Sequence, residues 1–551
     1  MLEGCVDWPE DSARRYRNAG CWGTLSIFEA VSAAARSNPG KAAVVDATGR
    51  RSYRDLLSNA ERLAARLHGL GLRPLDRVVF QLANSIKFIE AFLALMRIGA
   101  IPVMALPAHR RTEIEHFVRS SGAVALMTPE EAKGFDYRVM AREVASRCPV
   151  LRHLIIDGEP FRDQIELSPR RDRPEEPAQL SLEECPLPRP EEVALMLLSG
   201  GTTGLSKLIP RTHADYLCGV EQSGKAAGLD ADTVFLGVLP AGHNYTLGAP
   251  GILGTLVAGG VVILSPATTA DVVFPLIERE RVTVVSSAGP LVSRWLGSDL
   301  FDRHDLSSLK VFMSGGARLA PELRRRVEQQ FQCTYQESFG TAEGLLCMSR
   351  LADAEALRMN SSGRPVSEYD EIRIVNPSDQ DLPDGSAGEL LVRGPYTIQG
   401  YYNAPEINAK AFTTDGFYRT GDVVSRRDGY LYVEGRIKDL INRGGEMISC
   451  AEVENHLLTH PAIETACVVA IPDDVFIEKA CAVVVLRRGY TLTLAEMSAF
   501  LKDKEIARFK MPERLELVKE MPISPAGKIL RRNLREALAD HLASERLHDR
   551  Q

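Results

Sequence analysis

Short apolar runs alternate with amphipathic stretches through the first four hundred residues, and this rhythm narrows the possible architectures more than any other property of the chain. RDLLSNAERLAARLHGLGL places apolar residues at helical spacing and closes on glycine. DRVVFQL follows as a buried strand and IKFIEAFLALMRIGA as the next helix. VALMLLS, TVFLGVLP, GGVVILS, VTVVSS and LKVFMSGG are further strand-like runs, each followed by a helix or turn. A chain built this way folds as α/β layers with mostly parallel sheets.

From about residue 370 the pattern changes to short strands and turns: DEIRIVN, GELLVRGP and GYLYVEGR. Past GRIKDLINRGGE come a helix (AEVENHLLTH), two strands (ETACVVAI, KACAVVVL), a helix (LAEMSAFLKDKEIA), and a last strand and helix, the makings of a small α+β domain. With 551 residues the chain exceeds one ordinary core, so a large N-terminal domain (1–435), a junction (436–439) and a small C-terminal domain (440–551) are expected. The Pro-, Glu-, Arg- and Asp-rich segment 160–190 reads as an exposed connection inside the large domain.

A formal charge of −7 without a long basic block argues against a nucleic-acid or membrane-surface role, so small acidic ligands would need local positive sites. The ten cysteines are scattered, with no CxxC pair and no metal-ligand spacing, as expected of reduced structural thiols. The first twenty residues have no basic start followed by an apolar run, and no stretch is apolar enough to span a membrane. The expected location is the cytoplasm.

LSGGTTGLSKLIPRTH, residues 198–213, packs glycine, serine, threonine and lysine as a phosphate-holding loop does. A Walker loop requires GxxxxGK followed by Ser or Thr, whereas Gly204 and Lys207 are separated by two residues and Lys207 is followed by Leu208. A P-loop ATPase is thereby excluded. Backbone N–H groups of such a turn still form an anion nest, with Ser199, Thr202 and Thr203 adding hydroxyls, and a plain surface turn is the competing reading of the stretch by itself.

SGGTTGLSK, SFGTAEG, YRTGD, GRIKDLINRGGE and PAGK stand in the order and spacing of the adenylate-forming superfamily of acyl-CoA synthetases, luciferases and peptide-synthetase adenylation domains, which the chain resembles nearly end to end. ALPAHRRTEI, HNYTLGAPG and RGPYTIQGYY are similar, more narrowly, to the stand-alone enzymes that activate 2,3-dihydroxybenzoate or salicylate in siderophore assembly. The resemblance implies ATP and Mg²⁺, formation of an aryl-AMP, and passage of the aryl group to the phosphopantetheine thiol of a separate aryl carrier protein or to coenzyme A.

It also implies residue roles. Ser199, Gly200, Gly201, Thr202, Thr203, Gly204 and Lys207 would cradle the β- and γ-phosphates, and Glu343 would help to hold Mg²⁺ near the α-phosphate. Gly315, Gly316 and Ser338 would line the adenine slot. Asp422 would accept the ribose hydroxyls, with Arg436 adding a ribose or phosphate contact. Lys528 would be the catalytic cation and Lys438 the hinge of a mobile C-terminal domain. Arg443, Gly444, Gly445 and Glu446 would face the incoming pantetheine; Met447 stands where a basic residue is common.

In the acid pocket the resemblance points to His243 and to Asn244, which would hydrogen-bond an ortho substituent and the carboxylate, and to Gly316 and Leu346. Ala249 stands where dihydroxybenzoate enzymes usually carry serine, so a hydroxyl that could select a 3-hydroxyl is missing. Gly242, Gly248, Ser287, Ala288 and Gly289 are small, which suggests room for a substituted or larger ring. Expected substrates are ortho-hydroxy or ortho-amino aryl acids larger than 2,3-dihydroxybenzoate, with salicylate or dihydroxybenzoate as the narrower alternative. A catalytically silent binding or scaffold protein is the reading from another class, and intact Lys528, Asp422 and Glu343 argue against it.

Overall fold

The computed structural model describes the chain apart from residues 1, 169–181, 183–184, 200–205, 317, 445, 474, 505, 525–528 and 549–551. Among the described residues the backbone builds sheets of nine, seven, four and five strands, with a small two-stranded ribbon. Helices cover the two largest, as the alternating apolar rhythm requires.

The seven-stranded sheet is parallel through Val193–Leu198, Ile101–Met104, Arg77–Phe80, Ala125–Pro129, His153–Asp157 and Ile165–Glu166. Its edge is an antiparallel hairpin, Val193–Leu198 against Leu208–Thr212, with Leu198 opposite Leu208. Ser199 and Lys207 lie just beyond this pairing. The nine-stranded sheet runs parallel from Ala42–Asp46 through Val261–Leu264, Val234–Gly237, Val284–Ser287, Val311–Gly315 and Thr334–Thr341.

Helix Tyr53–Gly69 starts at Ser52, whose hydroxyl accepts the Asp55 N–H, and buries Leu56, Ala60, Leu63 and Leu67 along one stripe. Helix Ile86–Ile98 is apolar almost all round because it touches a strand of each large sheet, Ala42–Asp46 and Ile101–Met104. It ends at Gly99, where φ is +68°. The expected exposed connection is anchored at both ends: Ile165–Glu166 pairs with the seven-stranded sheet, Leu167 and Cys185 are buried, and Arg97 donates to the Cys185 carbonyl at 3.0 Å. Residues 169–181 and 183–184 of that segment lie outside the described residues.

The four-stranded sheet, Glu371–Val375, Gly388–Arg393, Tyr418–Arg427 and Tyr430–Arg436, is wholly antiparallel. A single 3₁₀ turn, Ile437–Asp439, follows it. Leu440–Arg443 then opens the five-stranded sheet, in which Ile463–Asp473 and Ile477–Leu486 form a long hairpin covered by helices Cys450–Leu457, Leu494–Asp503 and Arg531–His548. All ten cysteines are free thiols, eight of them buried. No helix among the described residues is long and apolar enough to cross a membrane.

Candidate active site

Loop 199–207 is closed at its base by two hydrogen bonds: Ser199 N–H to the Lys207 carbonyl, 3.0 Å, and Lys207 N–H to Ser199 Oγ, 2.9 Å. Gly200, Gly201, Thr202, Thr203 and Gly204 lie outside the described residues. Lys207 sets its ammonium 4.4 Å from the centre of the Tyr401 ring. The Tyr401 hydroxyl donates to Glu343 Oε1 at 2.8 Å and stands 3.1 Å from the Tyr418 hydroxyl. Burial, then the Glu343 charge, drives the Tyr401 phenol far above its ordinary pKa, so it remains a donor.

Arg211 binds this corner together. Its Nε donates to Asp215 at 2.7 Å and its Nη1 to the carbonyl of Ala342 at 3.1 Å, which joins the strand leaving the loop to the turn that carries Glu343. Among the described residues no group of three or more His, Cys, Asp or Glu gathers as a metal cage. A single buried carboxylate, Glu343, with one oxygen held by Tyr401, fits the way Mg²⁺ is bound through one or two carboxylates plus substrate phosphates.

Gly315 lies in register with Ser338 on the neighbouring parallel strand. A Cβ at Gly315 would stand 3.0 Å from the Tyr245 ring and 3.1 Å from the Ser338 carbonyl, so a side chain has no place there. Gly316 adopts φ +84°, backbone that favours glycine. Asp422 and Arg436 face each other across adjacent antiparallel strands, with Arg436 Nε donating to Asp422 Oδ1 at 2.9 Å. Two residues on, Lys438 has its pKa lowered by burial and then by the Arg436 charge, with Lys207 adding repulsion, so it sits within electrostatic reach of the loop lysine. Lys528 lies outside the described residues.

The short helix Asn244–Gly248 starts at His243, whose Nδ1 accepts the Tyr245 N–H at 3.3 Å. Asn244 Oδ1 accepts from the hydroxyl of Tyr216, 2.8 Å away on helix His213–Ala226. Here the structure corrects the expectation of free space at Gly248. A Cβ there would stand 2.5 Å from the Tyr216 hydroxyl oxygen, so the volume glycine vacates is filled by the phenol. At Gly242 the nearest atom to a Cβ is the Ala105 carbonyl oxygen at 3.4 Å, ordinary contact, so Gly242 is not filled as Gly248 is. At Gly289 the nearest atom is Leu319 Cδ1 at 3.8 Å, an ordinary contact that a methyl would make without displacing its neighbour.

Ala249, Ala288, Ser287 and Leu346 are buried. Leu346 and Tyr396 close over Gly219, whose Cβ position lies 3.8 Å from Leu346 Cδ1 and 3.6 Å from the Tyr396 ring. The Tyr396 hydroxyl donates to Asp370, whose carboxyl burial pushes up to about 8. In the C-terminal domain Gly444 adopts φ +61° and donates to the Phe476 carbonyl at 2.7 Å, while the Arg443 guanidinium lies 3.9 Å from the Phe476 ring centre. Gly445 lies outside the described residues.

Sequence reasoning passed over Tyr216, Arg211, Tyr396, Tyr401 and Asp370. Arg211 and the two later tyrosines stand inside quoted stretches, LSGGTTGLSKLIPRTH and RGPYTIQGYY, so closeness to a motif was their available signal. Nothing in the sequence pairs Tyr216 with Asn244.

The AMP-binding enzyme family model matches residues 31–402, and that of the AMP-binding enzyme C-terminal domain matches 452–528. The chain is 46% identical to a 2,3-dihydroxybenzoate-AMP ligase of Bacillus subtilis, over 98% of this chain and 99% of that one. It is 43% identical to a salicyl-AMP ligase / salicyl-S-ArCP synthetase of Mycobacterium tuberculosis, over 96% and 94%. Among solved structures, apo MbtA of Mycobacterium smegmatis aligns with a TM-score of 0.73 at 39% identity, covering 97% of this chain and 98% of that one.

Proposed function

The chain belongs to the AMP-binding enzyme family and is an adenylating ligase, and from that premise we propose that it activates an ortho-substituted aryl carboxylic acid and hands it to a phosphopantetheine thiol in siderophore or nonribosomal peptide assembly. The observation that carries this reading is the Tyr245 ring lying against Gly315. It sets the helix bearing Asn244 beside the strand that would line the adenine slot, which supports an acid site next to the nucleotide site.

In the first half-reaction a carboxylate oxygen attacks the α-phosphorus of ATP, the bond to the bridging oxygen breaks, and pyrophosphate leaves. Two anions must approach, so this chain's contribution is positioning and positive charge. Loop 199–207 with Lys207 holds the β- and γ-phosphates; Gly315, Gly316 and Ser338 admit the adenine; Asp422, braced by Arg436, takes the ribose hydroxyls. Mg²⁺, when bound, neutralises phosphate charge, and Glu343 is the residue that would hold it. Lys528 supplies the cation at the bridging oxygen. In the second half-reaction the thiol sulfur attacks the acyl carbonyl and AMP leaves.

In this reading residues 1–435 form the adenylation core, 436–439 the hinge about Lys438, and 440–551 the mobile domain that presents first Lys528 and then the Gly444–Gly445 loop. The acid sits among His243, Asn244, Ala249, Gly289, Gly316 and Leu346, with room for a larger ring on the Gly289 side. An aryl carrier protein is the acceptor and the cytoplasm the location, in keeping with ten free thiols. The test is ATP–pyrophosphate exchange over salicylate, 2,3-dihydroxybenzoate, substituted salicylates, anthranilate and fused-ring aryl acids, followed by loading of a carrier protein against coenzyme A. Exchange with aliphatic acids alone would overturn the reading.

A further inference from the structure

Tyr216 and Asn244 are joined by a hydrogen bond between two helices. Tyr216 is 2% exposed, and its hydroxyl stands 2.8 Å from Asn244 Oδ1. Burial holds the phenol above its ordinary pKa, so it stays a protonated donor at physiological pH. A carboxamide fits a site with either its oxygen or its nitrogen turned inward, and the hydrogen-bond network decides which.

Here the network gives one answer. Asn244 Oδ1 is the acceptor recorded for the Tyr216 hydroxyl among the described residues. With the amide reversed, a buried O–H would lose its acceptor, at a cost of about 1–3 kcal/mol. The ring has little freedom to move aside. It fills the space beside Gly248, and the Arg211 guanidinium, itself fixed by Asp215, lies 5.1 Å from its centre.

We propose that Tyr216 is a positioning residue that fixes Asn244 as a hydrogen-bond donor, so that the enzyme selects aryl acids whose ortho position presents an acceptor, a phenolic oxygen or a ring nitrogen, over acids that present an amine there. Asn244 is only partly buried, and among the described residues its side chain bonds only through Oδ1, which leaves the Nδ2 hydrogens to meet a ligand. A phenolic oxygen or a pyridine-type nitrogen accepts from them. An aryl amine brings two N–H donors and a lone pair drawn into the ring, so donor faces donor. The inference rests on the aryl-acid reading and narrows it: of the ortho-hydroxy and ortho-amino acids admitted there, the ortho-amino acids are turned away.

The experiment is ATP–pyrophosphate exchange with salicylate, anthranilate and benzoate for the wild type, Tyr216→Phe and Asn244→Asp, with folding checked by thermal melting. The wild type is expected to favour salicylate over anthranilate at least tenfold in kcat/KM. Tyr216→Phe frees the amide to turn and is expected to cut that ratio at least fivefold through the KM of the acids, with the KM of ATP unchanged. Asn244→Asp, which only accepts, is expected to move the preference toward anthranilate, and it carries the test if Tyr216→Phe does not fold. A wild-type ratio of one or below overturns the inference, as does a Tyr216→Phe variant that weakens both acids by the same factor. Exchange driven well by benzoate but by neither ortho-substituted acid overturns the inference and leaves aryl-acid activation standing; exchange with no aryl acid overturns both.

Discussion

The phenol of Tyr401 donates to Glu343 at 2.8 Å while its ring receives the ammonium of Lys207 at 4.4 Å. One buried side chain thus spaces Lys207, proposed to meet the phosphates, from the carboxylate proposed to hold the metal. A cation over an aromatic face contributes roughly 0.5–2 kcal/mol depending on desolvation, enough to hold a long lysine side chain in one place.

Tyr401→Phe keeps the ring and removes the donor to Glu343. The expected result is a Mg²⁺ requirement raised about ten- to a hundredfold in pyrophosphate exchange, the loss of one hydrogen bond to a charged group, with the acid KM unchanged. Titration of Mg²⁺ at saturating ATP and acid measures it.

Lys528→Ala is expected to abolish adenylate formation while largely keeping thioester formation from supplied aryl-adenylate, because the role proposed for the lysine lies in the first step alone. Comparing the two half-reactions checks this. Equal loss of both would remove Lys528 from the role assigned to it.

Gly248→Ala and Gly289→Ala separate a position with no space for a methyl from one that accepts it at ordinary contact. A methyl at 248 meets the Tyr216 hydroxyl oxygen at 2.5 Å, whereas one at 289 meets Leu319 at 3.8 Å. Overpacking costs about 1–3 kcal/mol, so Gly248→Ala is expected to lower Tm and raise the KM of every aryl acid. Gly289→Ala is expected to leave Tm unchanged and to penalise fused-ring acids more than salicylate. Melting curves with a two-acid kinetic comparison read both effects.

Asp370 makes stability depend on pH. Burial lifts its carboxyl from an ordinary 3.8 to about 8 in the folded chain. Between those values the folded state binds a proton that the unfolded state has released, so this stabilisation is complete below about pH 4 and is lost as pH rises through about 8. Asp370→Asn, which cannot titrate, is expected to flatten the fall in Tm between pH 5 and 8 relative to wild type.

Much of this architecture was legible because local patterning and tertiary role agree. The strands VALMLLS and LKVFMSGG and the helix IKFIEAFLALMRIGA read correctly, since buried parallel strands and an interlayer helix each demand unbroken apolar runs. Gly248 misled for the opposite reason. Sequence shows a missing side chain but not the phenol of Tyr216, thirty-two residues earlier, that occupies its place. The orientation of Asn244 was hidden likewise, because it is set by a contact between two helices rather than by neighbours in the chain.

Direct identification of the product tests the central claim most closely. The full chain is incubated with ATP, Mg²⁺ and salicylate or a substituted salicylate, quenched, and the bound species identified by mass. The account predicts close to one aryl-AMP per enzyme, formed only when acid is present and discharged by a phosphopantetheinylated carrier protein. AMP and pyrophosphate released without acid, or enzyme that binds ATP yet yields no adenylate with any aryl acid, would contradict it.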